Sequence, residues 1–543
     1  MQFATNKARF ASKKCNTPVS KQLQTSSKRG FGSTPSHCCV DDNETLDTNV
    51  VSVELGFLQQ DVPMRVGDPI LCSYCKSSLS HLDGIENNKW KCRFCGTENE
   101  CEKILPEEIP DTPILDYVIE QALIEKPESD GIIVYCIDTS GSMAINIEVT
   151  HERKCFTRLD VVKNAICQQV CILKEKHPKQ KVCIVRFSKD VKILGDCTKQ
   201  PIIIKTELLN DYDGLIDIAK EKVQLDNINN TIQNILKSVQ NMEEQGSTAL
   251  GPALLISTII ASKEPNGQVI LCTDGTSNCG LGNLEETNEV SQKFYQKIGE
   301  LALQNGVVIN VNTLKGCDTN MQIIGETAVK SSGEVMIVEP SQIGEAFNEA
   351  LSNNLIATDV IISIFLHPAI YINNFSESEQ PSRRRVVLGN VMDDSRYQFK
   401  YGLRPGEDIQ QFGQMKNFPI QIQIEYKKKN GLKGVRVLTQ TIDIADESEE
   451  LQIDGQILQT FYIQQTAQMR HEGRTDEARR NLRQFQQAQQ ISFVPMQGIY
   501  REYAEEMESA MDQHNDYSSY IFQNATNTWN DKRASRFKKF SKK

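Results

Sequence analysis

Six consecutive apolar residues, Ile132-Ile133-Val134-Tyr135-Cys136-Ile137, run directly into Asp138-Thr139-Ser140-Gly141-Ser142. A strand with no polar face has to be covered on both sides, the condition of a parallel sheet packed between helices. The segments that follow fit that frame. Leu159, Val162, Ile166, Val170 and Leu173 recur at three- and four-residue spacing and so share one helix face. Val182-Cys183-Ile184-Val185 and Val269-Ile270-Leu271-Cys272 are further buried-strand runs. A helix carrying Val290, Phe294, Ile298 and Leu301 leads to the run Val307 to Val311, and Gly333 to Val338 closes the series. Strand alternating with helix over 131–352 predicts a doubly wound parallel-sheet α/β domain.

Around it the pattern changes. In 353–448 the period falls to two: Ile420, Ile422 and Ile424 alternate with polar residues, and Asn430-Gly431 turns the chain toward Val435 and Val437, a hairpin signal that predicts a β-sandwich. Residues 449–512 read as a short helical region broken at Gly473, where Thr475 can cap the second helix and Ala478, Leu482 and Phe485 face inward. Ahead of the sheet lie a strand segment at 45–68, a cysteine module at 69–101 and a proline-punctuated linker at 102–130 with one short helix. Residues 1–44 form a basic extended tail and 513–543 an irregular basic tail.

The net charge of −11 is the balance of an acidic body and two basic ends: residues 1–39 and 532–543 each hold seven Lys/Arg and no Asp or Glu. Such arms suit docking on an acidic surface, such as tubulin in a cytoskeletal or axonemal polymer, or a membrane coat. Nucleic acid is not the expected partner. The first arm also resembles a mitochondrial presequence, against which stand its poor helical phase and Pro18. The longest apolar stretch, Ala253 to Ala261, is too short to span a bilayer and no apolar signal follows Met1. The 17 cysteines, an odd number, include Cys136, Cys183 and Cys272 inside strand runs, which points to a reducing, cytoplasmic setting.

The strand ending in Asp138 delivers a carboxylate to the carboxyl edge of the sheet, where open α/β folds bind ligands. Gly141 is expected to let the backbone turn so that the Ser140 and Ser142 hydroxyls swing to the same point. All three are hard oxygen donors, suited to Mg²⁺ or Mn²⁺. Two later segments strengthen the reading: Gly246-Ser247-Thr248-Ala249-Leu250 before an apolar helix, and Thr273-Asp274-Gly275 at the end of a strand. Together the three loops resemble the metal-ion-dependent adhesion site of the von Willebrand factor A family. That resemblance implies a ligand set of Asp138, Ser140, Ser142, Thr248 and Asp274, and an ion that recruits a carboxylate from a partner protein. Neither Gly-x-x-x-x-Gly-Lys nor His-Glu-x-x-His occurs and the seven histidines are scattered, so neither catalysis nor a small-molecule substrate is expected.

Cys72-x₂-Cys75, sixteen residues, then Cys92-x₂-Cys95 is a structural-zinc spacing, two knuckles closing one tetrahedron of thiolates. His81 is a fifth candidate, read as a loop histidine, and Cys38, Cys39 and Cys101 read as free thiols. The segment from Asp68 to Asn99, with Trp90 ahead of Cys92, resembles the zinc finger of the inner-layer subunits of the COPII vesicle coat. The order that follows, Asp116-Tyr117-Val118-Ile119, an A-type trunk, a sandwich and helices, extends the resemblance over roughly residues 50–510. It implies that residues 50–58 join the sandwich. Coat subunits end in a gelsolin-like domain, whereas fewer than 100 residues follow the sandwich here, and their trunk tends to lack an intact metal site.

The sequence therefore leads to a non-enzymatic adaptor with Mg²⁺ (or Mn²⁺) at the A-type site and structural Zn²⁺, docked on a cytoskeletal or ciliary assembly. The alternatives are a COPII-like coat component at the endoplasmic-reticulum membrane and a ubiquitin-ligase-associated protein. The last would need the eight ligands of a RING, which this region does not supply.

Overall fold

The computed structural model describes residues 49–100, 108–120, 130–148, 155–285, 289–315, 317, 319–352, 354–372, 381–404, 417–443, 455–491 and 498–526. The basic arms, and with them Cys38, Cys39 and Cys101, lie outside the described residues.

The strand Ile132–Asp138 is the fourth of a seven-stranded sheet. On one side of it run Lys181–Phe187, Val191–Gly195 and Ile202–Ile204. On the other run Gln268–Thr273, Val308–Leu314 and Val335–Val338. The five strands from Lys181–Phe187 across to Val335–Val338 are parallel, and Val191–Gly195 and Ile202–Ile204 form an antiparallel edge. Every residue of Ile132–Asp138 is buried, and alternate side chains enter two separate cores. Ile132, Val134 and Cys136 face the helices Tyr212–Lys222, Leu250–Ala261, Glu289–Gln304 and Met321–Lys330. Ile133, Tyr135 and Ile137 face Arg158–Lys176, Ile228–Gln240 and Ile343–Ser352. The helix Leu250–Ala261 is buried all round, as an apolar helix in the centre of a layer must be. Among the described residues no helix is long and apolar enough to cross a membrane. In Glu289–Gln304 the inward face is shifted by one residue from the apolar spacing: Ser291, Tyr295, Ile298 and Ala302 are buried while Val290 is exposed. Tyr295 sets that phase by donating its hydroxyl to the Gly282 carbonyl.

The sandwich is made from both ends of the chain. Its larger sheet runs Arg383–Met392, Leu355–Leu366, Asn417–Lys428, Lys433–Asp443, Ile114–Glu120, Met64–Val66. Its smaller sheet runs Val50–Glu54, Arg396–Leu403, Ile370–Ile372. The Asn430-Gly431 turn sits between paired strands, with Gly431 at φ 85°. The segment read as a linker contributes a central element: Ile114–Glu120 is a strand between Lys433–Asp443 and Met64–Val66. Its alternation is masked in the sequence because Asp116 lies buried. Asp116 pairs with Arg436, which is wholly buried: Nε reaches Oδ1 at 2.8 Å and Nη2 reaches Oδ2 at 2.6 Å. Two further guanidinium donors go to the carbonyls of Phe57 and Gln60. Four of the five N–H donors of Arg436 are thus used, the kind of hydrogen bonding under which a buried ion pair is tolerated.

Four helices, Gly455–His471, Thr475–Ile491, Gly498–Ala510 and Asp516–Thr526, pack where the two units meet. The last falls in the segment read as an irregular tail, and it is a helix because its partner lies far away in sequence. Asp516 accepts from Thr319 N and Oγ1 (2.7 and 2.9 Å) and from Met321 N (2.7 Å), capping the helix Met321–Lys330. Tyr462 and Phe485 stack at 5.1 Å and pack with Val50 of the small sheet, while Tyr500, Tyr503 and Met507 join the core of the seven-stranded sheet.

Asp116→Ala would leave the Arg436 charge unpaired in the interior, a loss of about 3–5 kcal/mol. Hydrogen exchange should then show Ile114–Glu120 and Lys433–Asp443 losing protection together, while Ile132–Asp138 keeps its own.

Candidate metal centres

Asp138 ends its strand next to Gln268–Thr273, whose pairing sets Cys272 opposite Ile137. Thr273 is therefore placed to donate its hydroxyl to Asp138 Oδ2 at 2.6 Å, and Ser140 N donates to Oδ1 at 2.7 Å. The carboxyl is fully buried, and burial pushes it up to about 6, with the charge of Asp274 adding to the shift. From Asp138 a chain of oxygens leads outward. Ser140 Oγ lies 3.0 Å from Ser142 Oγ, which donates to Asp274 Oδ1 at 2.6 Å. A methyl placed on Gly275 would sit 3.5 Å from Ser142 Oγ and 3.8 Å from Thr248 Oγ1, so the second loop's hydroxyl reaches the same region. The structure thus brings the five residues named from sequence to one edge of one sheet.

The loops are held by one another. Gly141 N donates to Gly246 O (3.0 Å), Gln245 N to Thr139 O (2.7 Å), and Thr248 N to Asn278 Oδ1 (2.7 Å). The glycine that the site needs for its backbone is Gly246, at φ +64°, rather than Gly141. Gly141 opens a short 3₁₀ turn, Gly141–Ala144, outside the left-handed region. Two residues that the sequence did not single out belong to the site. Thr273 orients Asp138, and Arg158 donates Nη1 to Asp274 Oδ2 at 2.6 Å.

This donor set fits a small hard cation. Oxygens at adjacent corners of a Mg²⁺ octahedron with bonds of 2.0–2.1 Å lie roughly 2.9 Å apart. The Ser140–Ser142 and Ser142–Asp274 separations of 3.0 and 2.6 Å bracket that value. Two buried carboxylates at one rim also call for positive charge beside them.

The four cysteine thiols lie within 4.8 Å of one another, and among the described residues they are the only such group of His, Cys, Asp or Glu. Sulfurs around a tetrahedral Zn²⁺ with bonds of about 2.3 Å are roughly 3.8 Å apart. Here Cys72–Cys95 is 3.6 Å and Cys75–Cys92 is 3.5 Å, so zinc fits; His81 stands outside the group. The two knuckles repeat one geometry: Lys76 N donates to Cys72 O and Gly96 N to Cys92 O, with Lys76 and Gly96 at φ 67° and 75°. The module is seated on the sandwich. Ser78 N donates to Gln421 Oε1 (2.6 Å), Gln421 Nε2 donates back to Ser78 O (2.8 Å), and Phe94 meets Phe365 at 6.3 Å.

No family model matches the chain. A curated protein of Dictyostelium discoideum, Circularly permutated Ras protein 1, is 30% identical over 476 residues, 81% of this chain and 56% of that protein. The chain thus spans little more than half the length of the curated relative it matches. Among solved structures, the human COPII-coat protein Sec24c aligns with a TM-score of 0.62 at 11% identity, over 88% of this chain and 72% of that one. A von Willebrand factor type A protein from Catenulispora acidiphila aligns at 0.43 and 14% identity, over 74% of this chain and 90% of its own. What is shared with Sec24c is the fold. In this chain that fold is a doubly wound parallel sheet with a four-cysteine module, a sandwich and helices.

Elemental analysis of the purified chain should find one zinc. Cys75→Ser should remove it and open residues 69–101 to protease, because a module this small has little core beyond Trp90, Leu79 and Phe94.

Proposed function

We propose that the chain is a non-enzymatic, metal-dependent protein-binding adaptor. Asp138, Ser140, Ser142, Thr248 and Asp274 would hold Mg²⁺ or Mn²⁺, and an acidic side chain of the partner would complete the coordination. The observation that carries this reading is the hydroxyl–carboxylate chain Ser140–Ser142–Asp274 at the rim of the sheet, continuous with the buried Asp138. Three hydroxyls are uncharged donors, so an ion held largely by them stays electron-poor and attracts an anion from outside. Ser142 is part-exposed while Asp138 and Asp274 are buried, which leaves the outer face of the site accessible.

The zinc module and sandwich act as a frame in this reading. The basic arms would bring the adaptor to an acidic cytoskeletal, ciliary or membrane-coat surface in the cytoplasm, and the metal site would choose the partner.

Partner capture from cell extract in Mg²⁺ should fall at least tenfold for Asp138→Ala, and chelator added to the wild-type chain should reproduce the loss. A chain lacking residues 1–39 should keep the same partners but recover them from a different cell fraction. Normal capture by Asp138→Ala, combined with a steep loss on adding salt, would transfer partner choice to the arms.

A further inference from the structure

The ion pair between Arg158 and Asp274 is more than a clasp. Asp274 divides its two oxygens: Oδ1 accepts from the Ser142 hydroxyl at 2.6 Å, within the donor cluster, and Oδ2 accepts from Arg158 Nη1 at 2.6 Å. The Asp274 side chain is fully buried and that of Arg158 is 16% exposed, so solvent screens the pair little. Arg158 is also fixed in place. It is the first residue of the helix Arg158–Lys176, and its N–H donates to Ile145 O, just beyond the first metal loop. Thr157, which caps that helix in a capping box with Asp160, donates its hydroxyl to Glu244 Oε1 beside the second loop.

We propose that Arg158 tunes the metal centre in two opposite directions, weakening its hold on the cation and strengthening the pull of the bound cation on a carboxylate. This rests on the metal-site reading above. A guanidinium on Oδ2 draws negative charge from Asp274 and sets a like charge beside any cation on Oδ1. Both effects lower cation affinity. With Asp138, Asp274 and Arg158 counted together, the set carries one net negative charge, and a divalent cation turns it into one net positive charge. Without Arg158 the same set would carry two negative charges and become neutral on loading. An incoming anion is therefore drawn to the loaded centre chiefly because Arg158 is there. The guanidinium also keeps a buried carboxylate partnered when cation is scarce, so cation occupancy can vary without loss of the fold.

The full-length chain would be titrated calorimetrically with Mn²⁺ alone, as wild type, Arg158→Gln, Arg158→Lys and Asp274→Asn. In parallel, at saturating Mn²⁺, a labelled glycine–serine peptide carrying one Asp would serve as carboxylate probe. Arg158→Gln should bind Mn²⁺ about tenfold more tightly and the peptide at least fivefold more weakly, while Arg158→Lys, which keeps the charge, stays near wild type in both. A merely structural Arg158 would weaken both together or change neither, and either result overturns the proposal. Melting in chelator checks that each variant folds, and Arg158→Met replaces the Gln variant if that one does not melt cooperatively. If wild type binds no Mn²⁺ that Asp274→Asn removes, the metal-site reading itself falls, an outcome distinct from failure of the Arg158 assignment.

Discussion

Two adjacent parallel strands, Ile132–Asp138 and Gln268–Thr273, are paired so that Cys272 stands opposite Ile137. Because side chains alternate along a strand, a slip of one residue would move every side chain to the other face of the sheet. Ile133, Tyr135 and Ile137 would leave one packed core and Ile132, Val134 and Cys136 the other. The apolar matching of two cores thus fixes the register, and the register fixes where the carboxylates of Asp138 and Asp274 meet. The chemistry at the rim inherits its precision from hydrophobic packing well below it.

The other parts of the chain act on that rim from a distance. Asp516 caps the helix Met321–Lys330 through Thr319 and Met321, and Cys317 just before them is close enough to feel the charges of Arg158, Asp274 and Asp138. The C-terminal helix is in this way joined to the loop beside the candidate adhesion site. Among the described residues the cysteine module shows no such link. Its contacts, through Ser78, Gln421, Phe94 and Phe365, go to the sandwich. Two candidate metal centres of unlike chemistry therefore sit in separate parts of the fold, one seated on the sandwich and one at the edge of the parallel sheet.

What the sequence disclosed was local. A six-residue apolar run, a Cys-x-x-Cys knuckle and an Asn-Gly turn each announce themselves within a few residues, and each corresponds to an element of the fold. The five candidate oxygen donors could be named because each ends, follows or just precedes an apolar strand or helix. Arg158 was not, because an arginine opening an amphipathic helix looks like any solvated residue until Asp274, 116 positions away, is folded against it. Asp116 was hidden for the converse reason. A charge in the middle of Ile114–Glu120 breaks the expected alternation, and only Arg436, 320 positions on, makes it tolerable there. Gly141 does open the turn that brings the Ser140 and Ser142 hydroxyls together, while the left-handed backbone lies one loop away at Gly246, joined to it by the Gly141–Gly246 hydrogen bond.

The chain order of the sandwich carries a consequence for how the protein comes into being. Val50–Glu54 pairs with Arg396–Leu403, and Ile114–Glu120 with Lys433–Asp443, so the whole A-type sheet lies inside the loop that the sandwich closes. On a ribosome moving at about 5–20 residues per second, the early strands wait on the order of tens of seconds for their partners. During that interval Val51, Val53, Leu55 and Phe57, all buried in the finished molecule, have no native surface to cover them. The parallel sheet can condense meanwhile from its own contiguous residues, and by bringing its two ends together it shortens the loop that remains to be closed. The sandwich then closes only after the parallel sheet has been made, and the newborn chain depends on the speed of its central domain to keep its first strands from pairing with a neighbour's.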